Sequence, residues 1–153
     1  MNWFWESWMD RFESNQVEYI TPDDEYVVAF SEDIDIPDCD CDKKKAKSIW
    51  LKITDGIDYR LSKEWKTPRQ TLTDMMGDCE DYVFLFLSVA PNVGLTDVEM
   101  AIGYLRKGGK TGAGGPHVWV EVDGMVVDPT GYPTDVEDME YKPVQKYEID
   151  YNG

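Results

Sequence analysis

His117-Val118-Trp119-Val120-Glu121-Val122, then Asp123-Gly124, then Met125-Val126-Val127-Asp128 is the stretch from which the architecture follows. Apolar residues alternate on both sides of an Asp-Gly pair, a strong short-range signal of a two-residue β-hairpin. If Asp123 and Gly124 are the whole turn, Val122 faces Met125, Trp119 faces Asp128 and His117 faces Thr130. His117 and Asp128 then become diagonal neighbours on one face, with backbones roughly 7–8 Å apart, a gap that an imidazole and a carboxylate bridge with a hydrogen bond. Val118, Val120, Val122 and Val127 point to the other face, which reads as core.

The only histidine of the chain thus stands beside an aspartate able to fix its tautomer and stabilise its charged form. That is the orienting half of a nucleophile-base-orienter triad. Cys79 is the candidate nucleophile. Asp78 can cap a helix that begins at Cys79, with Glu80 and Asp81 in its first turn, and the apolar run Tyr82 to Leu87 marks that helix as buried nearly all round. The helix start favours a thiolate and offers the Cys79 backbone N–H as an oxyanion donor. Asp78, Glu80 and Asp81 oppose this by raising the thiol pKa; the expectation is that a histidine contact in a water-poor cleft outweighs carboxylates screened by solvent.

Further from the site, Phe4, Trp5, Trp8, Met9 and Phe12 recur at helical spacing over residues 1–14, an aromatic stripe that docks into the chain's own core or, alternatively, onto a partner protein through Trp5, Trp8 and Phe12. Val17–Ile20 and Tyr26–Phe30 read as short strands around Thr21-Pro22-Asp23-Asp24. Apolar spacing from Lys44 to Trp65 predicts a long amphipathic helix that includes Leu61, with Gly56 as its weak point. Thr67-Pro68 opens a short helix that fades before Gly77. Strands follow over Val98–Leu105, His117–Val122 and Met125–Asp128, with a last one near Lys146–Tyr151, and a glycine-rich loop spans Lys107–Gly115. That loop contains Gly-Lys-Thr but lacks the spacing of a phosphate-binding loop. It reads as a mobile lip beside His117, with Gly115 and Trp119 lining a substrate cleft.

With 153 residues, 42% of them hydrophobic, the chain is expected to form one domain with a core of its own. Its 31 acidic against 15 basic side chains, a formal charge of −16, argue against nucleic acid and anionic membranes as partners. Cys39 and Cys41 stand too close for an easy disulfide, Cys79 is left over, and one Cys-x-Cys without a second pair is poor zinc chemistry. A reducing compartment, no metal and no cofactor are the corresponding expectations. The first ten residues lack the pattern of a signal peptide, and no apolar run reaches the roughly 18 residues of a membrane span. A cytoplasmic location follows, with association to a virus particle as the alternative.

Trp65-Lys66-Thr67-Pro68, Thr71-Leu72, Gly77-Asp78-Cys79-Glu80-Asp81-Tyr82, His117 to Val122 and Val127-Asp128-Pro129-Thr130 together resemble the transglutaminase-like superfamily, within it the bacterial and viral members of cysteine-proteinase type. The likeness covers about residues 45–131. It implies a papain-like α+β fold in which a central helix starting at the cysteine packs against an antiparallel sheet. It also implies Cys79 as nucleophile, His117 as general base and acid, and Asp128 as orienter. The second oxyanion donor is not fixed by these motifs; Gln70 and Trp65 are candidates by residue type. The expected activity is thiol-dependent hydrolysis of peptide, isopeptide or side-chain amide bonds on a protein or peptide substrate. Transfer to an amine, as in a transglutaminase, is the runner-up, and a non-catalytic virion or envelope interaction module is the third reading. Taken one at a time, Cys79 also reads as a small core residue, His117 as a satisfied strand histidine and Asp128-Pro129 as a turn.

Overall fold

The computed structural model describes residues 3–61, 64–105, 116–129, 131–135 and 141–151. The N-terminal part is helical: α1 (Trp3–Ser14), α2 (Gln16–Tyr19), α3 (Glu25–Glu32) and α4 (Asp42–Gly56) lead into a two-residue strand β1 (Asp58–Tyr59). Then come α5 (Pro68–Asp74), strand β2 (Met76–Gly77), the central helix α6 (Cys79–Val89) and a 3-10 turn (Ala90–Val93). The aromatic stripe of α1, apart from the exposed Phe4, packs into the chain's own core. Trp5, Trp8 and Phe12 are each at most 7% exposed, with Trp8 against Trp65, and Phe12 stacked on Phe84 of α6.

Two of the expected strands are helices. Val17–Ile20 lies largely in α2 and Tyr26–Phe30 in α3. A cap overrides the strand preference of these residues: the Asp24 carboxylate accepts from the Tyr26 N–H at 2.8 Å and the Val27 N–H at 3.4 Å, and Arg69 of α5 holds the same carboxylate at 2.8 Å. Val27 and Ser31, one turn apart, then face the core, with the Ser31 hydroxyl donating to the Val27 carbonyl. The long helix expected to reach Trp65 stops at Gly56, where the chain enters β1, and Leu61 is 83% exposed. Cys39 and Cys41 are joined as a disulfide, against expectation. Extended backbone at Cys41 and a Cα separation of 5.4 Å bring the pair within ordinary bridging range. The cysteine count therefore no longer argues for a reducing compartment.

The C-terminal part is an antiparallel sheet of β3 (Glu99–Leu105), β4 (Pro116–Val122), β5 (Met125–Asp128), β6 (Gly131–Asp135) and β7 (Tyr141–Glu148), in the order β6-β5-β4-β3-β7. The hairpin register is the expected one: Val122 faces Met125, Glu121 faces Val126 and Val120 faces Val127. Asp123 and Gly124 both take positive φ, 49° and 76°, as a tight primed turn requires. Strand β6 was not foreseen, and β7 begins earlier than the strand expected near Lys146. Tyr147, Ile149 and Tyr151 do pack together against the main core. The glycine-rich loop expected over Lys107–Gly115 lies outside the described residues.

The sheet has two buried faces. Val118, Val120, Val122 and Val127 join Met100, Ile102 and the apolar residues of α6 in the main core. On the opposite face Ala101, Trp119 and Val126 form a smaller cluster with Tyr141 against it. At the edge between β3 and β7 a Cβ on Gly103 would clash with the Lys142 carbonyl oxygen; that close approach coincides with the register shift after Ile102 and demands glycine. Among the described residues no helix is long and apolar enough to cross a membrane.

Candidate active site

The start of α6 is held by a reciprocal cap. Asp78 accepts from the Asp81 N–H at 3.3 Å and Asp81 accepts from the Asp78 N–H at 3.2 Å, while the other Asp81 oxygen takes the Lys66 N–H at 2.8 Å. This locks the first turn to the segment before α5. Gly77 is required beside it, since a Cβ there would stand 2.7 Å from the Asp81 Cβ. The short parallel pairing of β1 with β2 sets Tyr59 opposite Gly77. Cys79 is thereby fixed in position, 8% exposed.

The electrostatics of that position run against the expectation. Burial is the largest effect and pushes the Cys79 thiol well up, Glu80 and Asp78 push it further, and a backbone hydrogen bond from Val118 pulls it down. The sulfur donates to Glu80 Oε2 at 3.3 Å, and no hydrogen bond joins it to His117 among the described residues. Solvent does not screen these carboxylates as was supposed: Asp78 is itself 5% exposed, and burial together with Glu80 raises its own pKa from 3.8 to about 8. The resting cysteine is a neutral thiol. Its sulfur nevertheless lies against the backbone of Val118, the residue that follows His117.

On the sheet, the diagonal pair forms as the hairpin register requires. His117 Nε2 and Asp128 Oδ2 are 2.6 Å apart, both side chains buried. The same carboxylate oxygen accepts from the Tyr141 hydroxyl at 2.5 Å, and the Asp128 carbonyl accepts from Trp50 Nε1 at 3.0 Å. The other imidazole nitrogen, Nδ1, is buried and finds no hydrogen-bond partner among the described residues. Asp128 therefore fixes the ring by one nitrogen and leaves the second available for proton transfer.

Trp119, expected to line a cleft, is fully buried. Its indole N–H donates to Glu121 at 2.9 Å, Glu121 is paired with Lys146 at 2.8 Å, and its ring packs on Tyr141 with centroids 4.7 Å apart. It braces the His117–Asp128 pair from beside. Gln70 is exposed, and its side-chain oxygen accepts the Thr67 N–H at 2.8 Å, closing the cap of α5. That cap accounts for glutamine at this position without an oxyanion role. Trp65 lines a cavity of about 420 Å³ with Trp3, Phe4, Trp8, Asp78 and Glu80, beside the cysteine. A second cavity of about 250 Å³, lined by Thr54, Asp58, Tyr59, Gly77, Tyr82 and Pro129, lies on the side of the Cys79 and Asp128 segments.

Sequence reasoning missed Tyr141 and Trp50. Tyr141 precedes every residue assigned to the last strand, and Trp50 was absorbed into the apolar stripe of α4; its indole N–H was the one hint of a polar errand. Among the described residues no group of three or more His, Cys, Asp or Glu side chains is placed to hold a metal ion.

Comparisons with known proteins bear on the fold and the family. No curated protein matches the chain. Among solved structures it is similar to a candidate cysteine protease from Cytophaga hutchinsonii, at 15% identity and a TM-score of 0.63, over 86% of this chain and 44% of that one. It is also similar to LapG of Legionella pneumophila, at 14% identity and a TM-score of 0.52, over 86% of each chain, and to the calcium-bound form of LapG, at the same identity and score, over 88% of this chain and 86% of that one. At these identities the likeness is one of fold. The model of the transglutaminase-like superfamily matches residues 31–132, two thirds of the sequence and both halves of the site, and the chain belongs to that superfamily.

Proposed function

We propose that the protein is a cysteine-dependent hydrolase of peptide, isopeptide or side-chain amide bonds that works through a thioester, with Cys79 as nucleophile, His117 as base and acid, and Asp128 as orienter. The observation that carries this reading is the buried imidazole held by Asp128 through Nε2, with Nδ1 finding no hydrogen-bond partner among the described residues, next in sequence to Val118, whose backbone bears on the Cys79 thiol. The solved neighbour described as a candidate cysteine protease supports hydrolysis.

The reaction begins when Cys79 Sγ exchanges Glu80 for His117 Nδ1, which takes the thiol proton. The sulfur then attacks the amide carbon, and the carbonyl π pair moves to oxygen beside the Cys79 N–H. Collapse of this adduct expels the amine, which leaves with the proton held on the imidazolium, and water, deprotonated by the same imidazole, hydrolyses the thioester. Asp128 stabilises the imidazolium throughout and keeps the ring in one tautomer. Substrate enters along the side of Glu80, where the larger cavity presents aromatic faces.

The test is to incubate the purified protein with peptide substrates and with a glutamine donor plus a labelled amine. Cleavage or deamidation that is lost in Cys79→Ala and His117→Ala supports hydrolysis; label incorporation instead transfers the reading to a transglutaminase. If neither occurs and neither substitution changes anything, the enzyme reading falls. A role as an interaction module would then rest on Trp3 and Phe4, the exposed aromatics of α1.

A further inference from the structure

Buried hydroxyls are hydrogen-bonded in folded proteins because leaving one without a partner is costly. Two such hydroxyls, Tyr59 Oη and Tyr82 Oη, are buried here with no hydrogen-bond partner among the described residues. Both tyrosines line the same cavity of about 250 Å³, whose other walls include Gly77 and Pro129. Gly77 precedes Asp78 and Cys79 directly, and Pro129 follows Asp128. The cavity thus opens between the cysteine end of α6 and the aspartate end of β5. The β1–β2 pairing sets Tyr59 opposite Gly77 in register, with the Arg60 N–H donating to the Gly77 carbonyl at 2.8 Å, so this ring is carried on the same short ladder that places the cysteine.

We propose that the Tyr59 hydroxyl is the second oxyanion donor, completing with the Cys79 backbone N–H a site for the acyl oxygen of the substrate. The inference rests on the reading of Cys79 as the nucleophile. It fills the role that Gln70, turned to cap α5, does not fill. The charged and titratable groups that bear on the Tyr59 phenol are Cys79, Asp78, Asp128 and Glu80, in that order; with burial ahead of them, they hold its proton firmly on oxygen. Tyr59 is therefore a neutral donor at all working pH values. For Tyr82 burial comes first and Asp128 is the charge that bears. The same acidic surroundings disfavour a carboxylate in the cavity. They admit a neutral carbonyl, and the negative charge that develops on its oxygen as sulfur adds must be met by the two donors.

A small peptide aldehyde, N-acetylglycinal, tests the assignment without knowledge of the natural substrate. The Cys79 sulfur adds to the aldehyde carbon, a C–S bond forms, and the carbonyl π pair moves to the oxygen, which the two donors hold and the imidazolium protonates. Wild type, Tyr59→Phe, Tyr82→Phe and Cys79→Ala would be compared for aldehyde affinity, iodoacetamide labelling of Cys79 and melting temperature. The expected result is a loss of about 100-fold in aldehyde affinity for Tyr59→Phe, of the size seen on removing one oxyanion donor. Its labelling rate should be unchanged, because alkylation develops no oxyanion. Its melting temperature should be unchanged or higher, because an unpartnered hydroxyl has been removed. Unchanged aldehyde affinity in Tyr59→Phe, a lowered melting temperature, or a loss confined to Tyr82→Phe overturns the assignment while the Cys79 reading stands. A wild type that forms no more adduct than Cys79→Ala overturns both.

Discussion

The two halves of the site are finished to different degrees. On the sheet, His117, Asp128 and the half-buried Tyr141 form a chain in which the carboxylate accepts from both neighbours, and Trp119 and Trp50 brace it. At the helix start, burial and two carboxylates hold the Cys79 thiol protonated and turned to Glu80. A base oriented in advance costs little to keep, since its partners are neutral donors and one carboxylate. A resting thiolate beside Asp78 and Glu80 would be a buried charge among like charges. On the proposed reading, the difference leaves activation to the imidazole and not to the helix start.

The sharpest way to break the contrast is Asp128→Asn, which keeps the shape of the sheet side and removes its charge. Activity in the hydrolysis assay should fall by about 10⁴-fold, the scale of a wrong-tautomer histidine in a triad. Tyr141→Phe tests the same side more gently. Losing one hydrogen bond to a charged acceptor should cost about 1.5–3 kcal/mol in a denaturant titration, with a smaller loss of activity. Turning to the helix side, Glu80→Gln removes the carboxylate that holds the thiol. Iodoacetamide should then label Cys79 several-fold faster at neutral pH, and the midpoint of the pH–rate curve should move down.

A separate effect is expected on the pH dependence of stability. The Asp78 pKa is raised from 3.8 to about 8 in the folded chain, so between these values the folded state holds a proton that the unfolded state has released. Its contribution to stability is complete below about 3.8 and is lost as pH rises through about 8, at no more than roughly 1.4 kcal/mol per pH unit. Asp81 is raised as well and acts with the same sign. Asp78→Asn, which preserves the cap, should flatten this slope in denaturant melts across that window; an unaltered slope would mean the carboxyl is not protonated.

Much of this was legible from local chemistry. Asp123-Gly124 between alternating strands dictates the register, the register dictates that His117 meets Asp128, and Asp78 with Asp81 announces the start of α6. What was not legible depends on tertiary context. Residues 17–30 have the composition of strands, but Asp24, held from α5 by Arg69, makes a helix of the second run. Tyr141 reaches Asp128 only because β7 crosses to pair with β3, a long-range choice that no nearby residue signals. Activation of the thiol follows from the sequence only if its carboxylate neighbours are solvated; the burial of Asp78 and Asp81 is a property of the packed core and reverses the balance.

The most direct measurement is the rate at which iodoacetamide labels Cys79 at pH 7 in the wild type and in folded His117→Ala. If the imidazole is the base that frees the thiol, the substitution should slow labelling by at least about 100-fold. Equal rates in the two proteins would show that the sulfur and the imidazole act independently, and would contradict the account.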